Sequence, residues 1–234
     1  MRRGARAALV LLAAACSNLD ELSDGVIALE VTPPVPPIIE FGDTARFNAR
    51  ALDQNGDSVP AAIVWVTPDT TLVIVDSSAG LVAGKYPAVA GRVQARLGSL
   101  NTGFTTLTVE ARADTIVLPG PVEDTVTAEE SSSAALVARV DSYNPAGPLT
   151  GRSLIYEIVQ PVFADTAART VQFLNGFLAD TVLTATDGTP AEPISLTRIE
   201  GTTAPASVTV QVRSVQRRGT AVPGSGQTFT VLFF

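Results

Sequence analysis

The chain has one cysteine, Cys16, and the residues before it set what its thiol can do. Arg2, Arg3 and Arg6 are followed by an apolar run over residues 7–12 and by Ala13-Ala14-Ala15. A basic start, a short apolar run and small residues make up an export signal and its cleavage site. The run is too short to cross a bilayer, which takes about 20 apolar residues. Two other groups carry chemistry. Asp53, Asn55 and Asp57 place oxygens at alternate positions around Gly56, as the start of a calcium loop does. No glutamate follows to complete such a loop, and the same residues make an inter-strand turn. Glu129-Glu130 and the scattered aspartates offer carboxylates for glycoside hydrolysis, but nothing in the pattern puts two of them across a cleft.

The triplet ending at Cys16 resembles the lipobox of bacterial lipoproteins, in which cleavage before the cysteine leaves its sulfur to carry diacylglycerol. That family prefers Leu three residues before the cysteine; here Leu12 lies four before it and Ala13 holds the third place. The resemblance implies a signal peptide over residues 1–15 and attachment to a membrane through lipid on Cys16. Ser17 follows where Asp resembles an inner-membrane retention signal, which implies the outer membrane of the cell envelope. An ordinary secretory signal with an incidental Cys16 is the alternative. Residues 16–25 are polar and acidic and read as a tether.

Composition narrows the function classes. The net charge is −7, and removal of residues 1–15, with three arginines and no acid, takes it to −10. An acidic body with Lys85 as its sole lysine and no basic run beyond Arg217-Arg218 argues against nucleic-acid partners, which need clustered cations for the phosphates. There is no histidine, so Ser-His-Asp and Cys-His catalysis and His-ligated zinc are excluded. No cofactor or metal site is implied, and with Cys16 committed to the signal no disulfide is available. Stability must come from packed cores.

Those cores must be built by strands. Ala45, Phe47, Ala49 and Ala51 alternate with Thr44, Arg46, Asn48 and Arg50, and Val208, Val210 and Val212 alternate with Ser207, Thr209, Gln211 and Arg213. Period two with an apolar side is a half-buried strand. Leu136, Ala138 and Val140 repeat the pattern. Further strands are predicted at residues 26–32, 63–67, 71–76, 81–83, 93–97, 103–110, 115–118, 125–128, 154–159, 171–174, 177–186, 194–199 and 227–233, with turn chemistry between them and no helical period. The fold is therefore all-β, two tandem β-sandwiches over residues 26–110 and 111–234, close-coupled because Ala111-Arg112-Ala113-Asp114 carries the chain over with little linker. The recurrence of Ala-Asp-Thr at 113–115, 164–166 and 179–181 reads as strand-entry chemistry.

Residues 26–110 resemble the bacterial Ig-like domain group 2. The resemblance rests on Val31-Thr32-Pro33, Gly42-Asp43-Thr44, Ala51-Leu52-Asp53 through Gly56, Val64-Trp65, Val75-Asp76, Gly80-Leu81-Val82 and Ala90-Gly91 in that order. It departs at Val66-Thr67-Pro68-Asp69, where that family has a serine-rich turn. Residues 111–234 resemble invasin-type bacterial Ig-like repeats through Asp141, Pro148-Leu149-Thr150-Gly151, Leu154-Ile155-Tyr156-Glu157 and Thr186-Asp187-Gly188-Thr189-Pro190-Ala191. The resemblances imply a non-catalytic cell-envelope protein whose modules bind a surface protein or polysaccharide, adhere or act as spacers. A carbohydrate-binding module would need exposed aromatics on one sheet face, whereas Tyr86, Tyr143 and Tyr156 are scattered. Trp65 is expected in the core, and the terminal run Phe229-Thr230-Val231-Leu232-Phe233-Phe234 is read as a closing sandwich strand and not as part of a membrane barrel.

Overall fold

Proline decides where the first strand of each half leaves its sheet. The structure, a computed structural model, describes residues 25–164 and 168–234; Cys16, residues 17–24 of the tether and Asp165-Thr166 lie outside the described residues. In the first half, β1 (Ala28–Thr32) pairs antiparallel with β4 (Asn48–Leu52), which also carries the short β5 (Ser58–Val59). Pro33-Pro34 and Pro36-Pro37 then supply no N–H to a ladder. Beyond them β2 (Ile38–Glu40) lies parallel to β11 (Thr105–Glu110) in the opposite sheet. That sheet continues through β9 (Val89–Leu97) to β10 (Leu100–Asn101) and β6 (Val64–Val66). A third ladder joins β3 (Thr44–Arg46), β8 (Leu81–Gly84) and β7 (Leu72–Asp76).

The second half repeats the device. β12 (Thr115–Val117) pairs antiparallel with β14 (Arg139–Tyr143), which carries β15 (Ala146–Pro148). Pro119-Gly120-Pro121 interrupts the chain, and β13 (Glu123–Val126) lies parallel to β21 (Gln227–Phe233). From β21 the sheet runs through β20 (Ser207–Arg213) and β16 (Ser153–Gln160) to β18 (Ala179–Leu183); β17 (Val171–Phe173) and β19 (Leu196–Arg198) pair on the other face. There is no α-helix among the described residues. The protein is all-β, two Ig-like β-sandwiches in tandem.

Each half has its own core. Phe47, Trp65, Leu72, Val82, Val93, Leu107 and Val109 are buried together in the first. Trp65 tilts against Phe47 with ring centroids 5.5 Å apart. In the second, Tyr156 stacks on Phe229 at 6.3 Å within a cluster that includes Leu154, Phe173, Val208, Val210, Val212 and Val231. Phe229, Val231 and Phe233 face this core, as a closing sandwich strand requires. Two alternating stretches are not single strands, however. Residues 44–52 divide at Phe47, whose N–H donates to Gly80 O, so β3 and β4 belong to different ladders while the alternation runs on. Leu136 and Ala138 are buried in phase with Val140 but precede β14: the Leu136 N–H donates to Ile194 O and the Ala138 N–H to the Tyr156 hydroxyl. The segment around Tyr143-Asn144-Pro145 closes a hairpin in which Tyr143 pairs with Ala146.

Candidate functional site

The residues singled out from the sequence are used up locally. Asp53 Oδ1 accepts from the N–H groups of Asn55 at 2.8 Å and Asp57 at 2.9 Å, which holds its carboxyl below the usual carboxylate range. One carboxylate oxygen of Asp53 is thus already engaged by its own turn. Among the described residues no group of three or more Asp, Glu, His or Cys could hold a metal. Glu130 folds back to accept from Thr127 N and Oγ1 and so caps its own loop. Tyr86 and Tyr143 are exposed in different sandwiches and Tyr156 is buried, so the tyrosines form no platform. Cys16 lies outside the described residues.

The charged cluster that the fold does assemble lies at the junction of the two sandwiches, and it was not predicted. β2 and β11 are parallel, and their last residues, Glu40 and Glu110, are register partners. The two carboxylates therefore sit side by side at one end of the first sandwich. Glu40 is wholly buried, and Arg152, at the entry to β16, is 6% exposed. Arg152 Nη1 lies 3.0 Å from Glu40 Oε1 and Nη2 3.2 Å from Glu110 Oε2, and Nη2 also donates to Ala111 O at 2.6 Å. One planar guanidinium from the second sandwich thus spans both acids of the first.

The turn after β20 completes the joint. Arg217 donates through Nε and Nη2 to the two oxygens of Glu110, each at 3.1 Å, and its backbone N–H to Glu40 Oε2 at 3.3 Å. Arg218 pairs with Asp43 at 3.3 Å and donates to Thr44 O. The Gln216 amide donates to Ala113 O at 2.9 Å, and Asp114 accepts from the Tyr143 N–H at 2.7 Å. Glu40, Glu110 and Asp43 face Arg152, Arg217 and Arg218, so the joint is charge-balanced. Burial pushes the Glu40 carboxyl up, while Arg152 and the N–H groups of Ala113 and Arg217 pull part of the way back.

This arrangement is not that of a glycosidase pair. A glycosidase pair needs two carboxylates facing a substrate across several ångströms of open space, but Glu40 has no access to solvent and both acids share one guanidinium. A groove of about 490 Å³ runs along the seam, lined in part by Ala88, Val109, Leu149 and Thr150, and only the edges of Glu110 and Arg152 reach it. Unpairing Glu40 or Arg152, the two buried charges of the cluster, is expensive, about 3–5 kcal/mol when one partner of a buried pair is lost, so this pair fixes how the sandwiches meet. The sequence signal was faint: acids that end their strands, and arginines in the turns at Gly151-Arg152 and Arg217-Arg218.

The sequence matches no protein-family model and no curated protein. Similar solved structures include the adhesin InvE of Yersinia pseudotuberculosis, at 18% identity and a TM-score of 0.39 over 90% of this chain; this chain spans 61% of that one. Domains 4 and 5 of the S-layer protein SbsC are similar at 14% identity and a TM-score of 0.33, covering 89% of this chain and 98% of theirs. The fibronectin(III)-like modules of Clostridium thermocellum CbhA are similar at 15% identity and a TM-score of 0.37, covering 88% of this chain and 93% of theirs.

Proposed function

We propose that the chain is a non-catalytic, lipid-anchored protein of the cell envelope, attached through Cys16 and serving as a two-module spacer for surface binding or adhesion. The observation that carries the anchor is the order of residues 1–16: three arginines, the apolar run, Ala13-Ala14-Ala15 and the only thiol. Cleavage before Cys16 frees an amine, and a thioether to diacylglycerol supplies two acyl chains. At about 0.8 kcal/mol per buried CH₂, several chains anchor a protein without further sequence. Residues 16–25 then act as the tether, residues 26–110 as a group 2-like Ig domain and residues 111–234 as an invasin-type-like one. Ser17 supports placement in the outer membrane. The partner class that suits an acidic pair of sandwiches is a surface protein or polysaccharide, and nucleic acid is disfavoured.

A spacer role draws support from the joint, because a buried, charge-balanced connection transmits position from the anchored domain to the far one. The test of the anchor is the intact mass of the protein from a detergent-extracted membrane fraction. The expected mass is residues 16–234 plus lipid, and Cys16→Ser should move the protein out of that fraction. An unmodified mass in a soluble fraction replaces this reading with a secreted Ig-like binding module.

A further inference from the structure

Among the described residues the sheet edges differ in how they are closed to further pairing. An open edge strand presents unpaired N–H and C=O groups, and short length, a charge on the strand or a proline normally blocks addition of another strand. Of the longer edges, β1 carries Glu30, β13 carries Glu123 and Asp124, and β18 carries Asp180; the remaining edge strands are short, such as the three-residue β2, β3 and β6. β7 is different. Leu72-Val73-Ile74-Val75 has neither charge nor proline, and only β8 pairs with it. Its one acid, Asp76, turns into its own loop, where Oδ1 accepts from the N–H groups of Ser78 and Ala79, each at 2.9 Å.

The phase of the ladder shows what the open side offers. The Lys85 N–H donates to Thr71 O, so Val73 spends its backbone groups on Ala83 of β8, and Leu72 and Ile74 turn theirs outward. The side chains of Val73 and Val75 are 46% and 54% exposed. Two valines on a half-open, uncharged strand are a surface that another strand would cover.

We propose that β7 is a homotypic docking edge, to which β7 of a second copy of this chain adds antiparallel about a two-fold axis at Ile74. An isologous contact must be self-complementary, and this strand is. In that register Ile74 faces Ile74, Val73 faces Val75 of the other copy, and each Asp76 falls opposite Leu72, so like charges never meet. The bulge between Ile74 and Asp76 on the β8 side ends the regular edge and keeps the contact to one short strand pair. Such an interface is small and weak in dilute solution; it gains from the high local concentration of molecules held on one surface.

The test places cysteines at Val73 and Val75 in the full chain, within whichever cell fraction carries it, and oxidises them. A cross-strand pair that is not hydrogen-bonded brings its Cα atoms to about 4.5 Å, within disulfide reach. Cysteines at Thr181 and Leu183 on β18, the edge guarded by Asp180, serve as the control. β18 bonds to β16 through its even-numbered residues, so this pair would be a hydrogen-bonded one with Cα atoms about 5.5 Å apart, also within disulfide reach. A reducible dimer several-fold more abundant from β7 than from β18 is expected. No dimer, or equal amounts from both edges, overturns the proposal. A second readout covers the case in which the cysteine variant folds poorly: sedimentation of the purified wild-type chain and of Val73→Lys at rising concentration. The wild type should shift toward dimer and Val73→Lys should stay monomeric; identical behaviour of the two overturns the proposal.

Discussion

The two sandwiches solve one topological problem in the same way and fill their cores differently. In both, the first strand starts on one sheet, breaks at prolines and finishes parallel to the last strand on the other sheet. In both, an aromatic residue on the strand that flanks the last strand's antiparallel neighbour anchors the core: Trp65 on β6 beside β9 in the first, Tyr156 on β16 beside β20 in the second. The surroundings of these rings diverge. Trp65 is sealed by a backbone turn at Gly80, where an added Cβ would lie 2.2 Å from Phe47 O and 2.8 Å from Trp65 Nε1. Tyr156 is sealed by the loop before β14, tied down through its hydroxyl. The shared frame is carried by proline and strand order, and the particular packing by a few close approaches.

The joint is where the comparison breaks most easily, because it alone belongs to both halves. Replacing Arg152 with Ala leaves Glu40 buried without its cation, and the expected loss is about 3–5 kcal/mol. Chemical denaturation should then separate into two transitions, one for each sandwich. Glu40→Gln together with Arg152→Met removes both charges and should recover much of the loss; a double variant as unstable as Arg152→Ala would show that shape and not charge holds the joint. Within the first sandwich, Gly80→Ala meets a left-handed φ of +66° and a backbone oxygen. Strain of about 1–2 kcal/mol and overpacking of about 1–3 kcal/mol add there. Gly176→Ala, in the second, meets the same sign of φ with open space around it, so only the first of these costs applies. Thermal unfolding of the two variants measures the difference.

Most of the frame was legible because period-two burial survives local irregularity. Phe47 and Ala138 are buried where the alternation puts them although neither lies in a regular ladder. What the sequence concealed depends on pairs far apart in the chain. Glu40 follows the buried Ile39 out of phase, and nothing local says that an acid there will be enclosed; its cation comes from Arg152, which only the joining of two sandwiches brings near. The turn aspartates gave the opposite difficulty. Asp53, Asn55 and Asp57 have the composition of an ion site, but the carboxylate of Asp53 is consumed by N–H groups two and four residues on, as turn-forming Asp commonly is.

Tyr156→Phe tests the second core on a smaller scale. The ring keeps its stack on Phe229, and only the hydroxyl that accepts from the Ala138 N–H is lost, an expected cost of about 1–3 kcal/mol for an unsatisfied buried donor. The corresponding change in the first core, Trp65→Phe, removes ring volume from a tight site, so the two variants should differ in kind: faster amide exchange confined to the loop before β14 in one, a general loss of stability of the first sandwich in the other.

The smallest effect expected is in the acid titration, where joint and loops should run in opposite senses. Burial holds the folded-state pKa of Glu40 above its ordinary value, with Arg152 and the backbone N–H groups opposing and Asp43 adding to the rise. Its contribution is therefore in place below the unfolded pKa and fades as pH rises through the raised folded one. Asp53, Asp69, Asp76 and Asp187 are held low by hydrogen bonds within their loops or, for Asp69, from Arg92. Their contributions are in place above the unfolded pKa and fade as pH falls through the lowered folded values. Carboxyl chemical shifts followed by NMR from neutral to acid pH should show Glu40 taking its proton first and these four aspartates last. On mild acidification the loops should thus still hold their charged caps when Glu40 has already become neutral. Glu40 titrating together with Asp53 would mean that Arg152 offsets its burial in full, and the joint would then be no more sensitive to pH than an exposed turn.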